Sequence, residues 1–213
     1  MTAMAPVRAD HLNASTHIDK GWTLLSSGDY VGAERELRRA CALAPDDPYT
    51  ESLLGWALML ANKHDDALML LQKVLMAEPH NSLARVNVGF ICLRKGIYGE
   101  AIEHLSRAIH ENTDAKATLY GHFYLGLVYL EREMYQDAQD FFRSTLDRGP
   151  NFIEAYYELG RAYVLGGNVE EARRAWRDGH AANRFNAWGK LCGEALAQLP
   201  DDEGQSHRID HVR

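Results

Sequence analysis

Gly21, Gly55 and Gly89 stand 34 residues apart, Gly126 follows 37 later, and Gly160 lies another 34 beyond it. Twelve residues after each glycine comes an alanine: Ala33, Ala67, Ala101, Ala138 and Ala172. A fixed period of this length constrains a chain more tightly than composition can, because it makes the fold a stack of one supersecondary unit. Between the markers the apolar spacing is helical. Ala101, Ile102, Leu105, Ala108 and Ile109 fall on one side, with Glu100, Glu103, Ser106, Arg107 and His110 on the other. Ser27-Gly28-Asp29, Lys95-Gly96 and Gly166-Gly167-Asn168 break this pattern as turns. Each unit therefore reads as two helices, A then B, and Pro45, Pro79 and Pro150 close three of the units.

A glycine inside a helix gives up about 1 kcal/mol against alanine. Five of them need a compensation, and close approach of two helix backbones supplies it where no larger side chain fits. Helix starts are marked as well. Asp47-Pro48 offers an N-cap followed by proline at the first helical position, and Asn151 with Glu154 predicts a capping box. Lys116, Ala117 and Thr118 are the three residues that stretch the fourth interval. Being nearly one helical turn, they predict a longer fourth helix A, capped by Asp114.

The units resemble tetratricopeptide (TPR) repeats, most strongly in LLGWALML with DDALMLLQKVLMAEP, in YLGLVYLEREMYQDAQDFF and in YELGRAYVLGGNVEEARRAW. On that family's pattern they align at 14–47, 48–81, 82–115, 119–152 and 153–186. Lys20, Thr113, Gly179 and Arg184 depart from it. The resemblance implies an all-α, right-handed α-solenoid. Around the five repeats we expect a flexible segment over 1–13, a capping helix over 187–199 and a flexible tail over 200–213. Trp188, Leu191, Cys192, Ala195 and Leu199 form the apolar face of the cap.

In TPR proteins the A helices line a concave groove. Carried over position by position, that groove holds Trp22, Tyr49, Leu53, Trp56, Met59, Asn87, Phe90, Tyr120, Phe123, Leu127, Tyr157 and Arg161. Each buried aromatic side chain accounts for ~150–250 Å², so a few half-exposed rings exceed the ~300–600 Å² patch usual on a monomer. The expected occupant is an apolar segment of a partner protein, helical or extended, held by spaced anchors. TPR co-chaperones that grip a C-terminal carboxylate use Lys, Asn and Arg at such places. Here Ile18, Trp22, Leu53 and Leu83 stand there, with only Asn87 polar, which excludes that clamp in the first three units. The function implied is a non-enzymatic adaptor or chaperone-like module, similar in design to the small TPR chaperones of bacterial secretion systems. The alternative is a self-assembling scaffold or assembly factor whose groove takes Met4, Val7 and Leu12 of a neighbouring copy.

Other classes are excluded on chemistry. A formal charge of −7 argues against nucleic acid, which needs clustered Lys and Arg, and an RNA-reading repeat needs polar base-contacting positions. No nucleophile elbow, phosphate loop or dinucleotide fingerprint occurs. Cys41, Cys92 and Cys192 form no C-x-x-C pair. His207 and His211 have i, i+4 spacing but no further ligands beside them, so no metal and no cofactor are expected. No window reaches the ~20 apolar residues of a membrane span, and the N-terminus lacks a secretory run. These point to the cytoplasm.

Overall fold

A computed structural model describes residues 6–199, with side chains from residue 13, and over that span the chain forms eleven α-helices and no strand. In order they are α1 Pro6–Ser27, α2 Tyr30–Leu43, α3 Pro48–Leu60, α4 His64–Ala77, α5 Ser82–Arg94 and α6 Tyr98–Glu111. They continue with α7 Ala115–Glu131, α8 Tyr135–Arg148, α9 Ile153–Leu165, α10 Val169–Ala182 and α11 Ala187–Gln198. The chain divides into two compact units, Met1–Val128 and Tyr129–Arg213. In the first, α1 packs on α2, α3 on α4 and α5 on α6, while α3 also touches α2 and α5. In the second, α9 packs against α8, α10 and α11, and α10 against α11.

The glycines mark close approach. A Cβ on Gly21, Gly55 or Gly89 would stand 2.7, 2.5 or 2.6 Å from Leu37, Leu71 or Leu105. One on Gly160 would fall inside the Trp176 indole. Each partner lies sixteen residues on, so the same crossing of helix B over helix A recurs. The five marker alanines, with Leu37, Leu71 and Leu105, are wholly buried.

The A-to-B turns are alike too. Gly28, Asn62, Gly96, Glu133 and Gly167 take positive φ of 82, 60, 74, 60 and 81°. The next residue in each case donates its amide to a carbonyl five residues back, as Asp29 does to Leu24 at 2.9 Å and Met134 to Tyr129 at 2.9 Å. This is the Schellman ending, in which a left-handed residue lets the last carbonyls of a helix be satisfied.

Helix starts follow the sequence except in two places. Asp47 accepts from the Thr50 amide at 3.0 Å, and Asp114 from the Ala117 amide at 2.7 Å. The lengthening of α7 is present, with 17 residues against 13 in α3, α5 and α9. The capping box of Asn151 and Glu154 does not form. Helix α9 begins after Phe152 with no side-chain cap bond, and the Ile153 amide donates to the Asn151 carbonyl at 3.1 Å. Helix α1 starts at Pro6, so residues 6–13, expected as part of a flexible segment, continue the first helix. Proline suits a first helical position, since its missing N–H has no intrahelical partner there. Residues 1–5 and 200–213, with Met4, His207 and His211, lie outside the described residues, as do the side chains of Val7 and Leu12.

Candidate functional site

In the first unit the inner faces of the A helices meet through a run of rings. Trp22 of α1 and Trp56 of α3 are edge-on at 5.0 Å, and Trp56 meets Tyr120 of α7 edge-on at 5.3 Å. Tyr124 lies 5.7 Å from Tyr120, 4.4 Å from Phe90 of α5 and 5.8 Å from Phe123. Edge-on rings place the positive rim of one against the negative face of the next, which adds to simple burial. The Trp22 indole N–H donates to the Tyr49 hydroxyl at 3.2 Å, and the Lys116 ammonium stands 3.6 Å from the Trp22 ring centroid.

This face has two depths. Leu53, Trp56, Met59, Asn87 and Phe123 are buried, Trp56 at 7% exposure. Trp22, Phe90, Tyr120 and Leu127 are half-buried, and Tyr49 is 43% exposed. Asn87 is occupied internally, donating from Nδ2 to the Ser52 carbonyl at 3.2 Å. The positions carried over from the TPR pattern do not separate the floor of this face from the surface above it.

The second unit carries Tyr157 and Arg161, both half-buried on α9. The Tyr157 ring lies 5.6 Å from Trp188 and 6.4 Å from Trp176. Arg161 donates to the Glu158 carboxylate at 2.6 Å. Glu154 sits one turn before Glu158, and burial with the Glu158 charge pushes its carboxyl up to about 7. Burial also raises Glu158, against the pull of Arg161 and with a push from Glu131. The sequence reading missed both acids as site residues. The available signal was that Glu154, Tyr157, Glu158 and Arg161 fall at i, i+3, i+4 and i+7, one face of a helix.

A carboxyl whose folded pKa lies above its ordinary value favours folding while protonated, so that contribution is lost as pH rises from the usual carboxylate range through about 7. In urea unfolding, the loss of stability between pH 5 and pH 8 should be smaller for Glu154→Gln than for the wild type. A difference on the order of 1–2 kcal/mol is expected, allowing for partial exposure. Equal losses in the two proteins would contradict it.

The three cysteines are not set up as nucleophiles. Burial raises the thiols of Cys41 and Cys192 to about 11 and that of Cys92 above its ordinary value, so none is a ready thiolate at neutral pH. His17 is engaged with Glu36 at 2.7 Å. Among the described residues no three His, Cys, Asp or Glu side chains are grouped to hold a metal, and no helix is long and apolar enough to cross a membrane.

A repeat period, a recurrent glycine crossing and helix pairs closed by the same turn define a helical-repeat protein of the all-α solenoid class. The chain belongs to the tetratricopeptide repeat family, whose model matches residues 24–85, 58–121 and 129–194. It is 33% identical over 86 residues to the peroxisomal targeting signal receptor of Candida albicans, covering 38% of this chain and 14% of that protein. The crystal structure of MamA is similar at 25% identity and a TM-score of 0.55, over 89% of this chain and 97% of that one. The fold is shared with a thermophilic TPR protein of Thermus thermophilus, at 18% identity and a TM-score of 0.75 over 87% of this chain and 100% of that one. The chain spans less than a quarter of the length of the curated relatives it matches.

Proposed function

We propose that the chain is a non-enzymatic protein-interaction module, adaptor or chaperone-like, whose A-helix face takes an apolar segment of a partner protein. The observation that carries this reading is the two-layered aromatic face of the first unit. Below lie the buried Leu53, Trp56, Met59 and Phe123, and above them the half-buried Trp22 and Tyr120 pack on Trp56 while Phe90 packs on the buried Tyr124. Rings packed in this way lose little freedom when a ligand covers them, which favours their use as anchors. Tyr49 and Leu127 extend the surface in the first unit, and Tyr157 and Arg161 offer a comparable pair in the second. The peroxisomal receptor among the relatives is, by its name, a protein that recognises a targeting signal, which fits a peptide-binding role for the repeats.

The test is co-purification from native lysate with the wild type and with Phe90→Ser/Tyr120→Ser, after both are shown to melt cooperatively. A protein held by the first and lost by the second supports the reading. Identical partners for both would overturn the placement of the site.

A further inference from the structure

The geometry points to a clasp, built by the three residues that break the repeat period, that closes the aromatic face of the first unit. Lys116, Ala117 and Thr118 lengthen α7 at its N-terminal end. That added turn carries Lys116, whose ammonium group lies 3.6 Å from the centre of the Trp22 ring on α1. In a unit of unbroken period, helix A would begin about one turn later, some 5 Å further along its axis, and would present no side chain here. The extra residues thus join α7 directly to α1, although α2 to α6 lie between them in the chain.

Further contacts give the clasp something to hold. Trp22 is pinned by its bond to the Tyr49 hydroxyl and rests edge-on against Trp56, which in turn meets Tyr120 of α7. Lys116 is exposed while Trp22 is only half-buried, so the cation screens ring surface that would otherwise meet solvent or an apolar ligand. A segment seating on Trp22 has to displace Lys116 first. This inference rests on the reading of the face as a docking surface, yet it can be tested without any partner.

Nile red, a neutral apolar dye, is the probe, titrated into the wild type, Lys116→Met and Lys116→Arg. Methionine keeps an unbranched apolar side chain and removes the charge, whereas arginine keeps a cation that stacks on aromatic rings. Lys116→Met should bind the dye about two- to five-fold more tightly, and amide exchange over residues 17–27 of α1 should quicken by a similar factor. Lys116→Arg should behave as the wild type, with helicity equal in all three. Unchanged dye binding in Lys116→Met, or faster exchange spread equally over α9 to α11, overturns the clasp. Neither result bears on partner capture through Phe90 and Tyr120, so failure of the clasp and failure of the docking reading remain distinct.

Discussion

Trp56→Ala is expected to cost about 3–5 kcal/mol of folding stability, the range for truncating a large buried aromatic side chain. Its indole is 7% exposed and packs edge-on against both Trp22 and Tyr120. Truncation removes the area of the largest side chain on α3 and two ring contacts of ~0.5–1.5 kcal/mol each. Trp56→Phe should recover a substantial part. Urea unfolding of the three proteins measures this, and a loss under about 1 kcal/mol would place Trp56 at the surface. The consequence for function is practical. Trp56→Ala is a poor probe of partner binding, because its effect on the fold would be read as an effect on the site.

The second large effect is expected at Trp176. It is 6% exposed, its indole N–H donates to the Tyr157 carbonyl at 3.0 Å, and its ring occupies the space where a Gly160 side chain would be. Trp176→Ala should cost about 3–5 kcal/mol through the cavity it opens. Gly160→Ala, a gain in helix propensity, should nevertheless destabilise by about 1–3 kcal/mol through overpacking, since the rigid indole has little freedom to yield. At the matching place the first three units have Leu37, Leu71 and Leu105. Gly160→Ala/Trp176→Leu should therefore be more stable than the sum of the single losses predicts, a coupling of about 1 kcal/mol or more in a double-mutant cycle. Strict additivity would mean that the two residues do not share the space.

The period made the fold legible, and the physical reason is now visible in particular atoms. Gly21, Gly55, Gly89 and Gly160 lie against a side chain sixteen residues on, so the marker that reveals the repeat is the contact that builds it. The added turn of α7 could be read from a count, because three residues continue a helix with little rotation. Helix ends were less legible. Asn62 and Glu133 adopt the same left-handed turn as three glycines; asparagine tolerates that region, whereas Glu133 takes it with no such preference to announce it in the sequence. At α9 the Ile153 amide goes to the Asn151 carbonyl, and the helix starts one residue later than the expected cap.

The site was half legible. The TPR resemblance named Trp22, Trp56, Phe90 and Tyr120 together, but depth depends on how far neighbouring A helices close on one another. Spacing within one helix carries no information on that. Asn87 illustrates the limit: its position suits a ligand contact, and the structure uses its amide to satisfy the Ser52 carbonyl. Glu158 shows the converse, a carboxylate given no role in the sequence that lies buried against Arg161.

The central claim is that the A-helix face of the first unit meets another protein. It is tested most directly by placing a benzophenone photo-crosslinking residue at Phe90, half-buried on α5, and separately at Met76, 79% exposed on the B helix α4. After irradiation in native lysate, the account predicts a specific crosslinked protein from position 90 and none from position 76. Crosslinks from position 76 alone would contradict it.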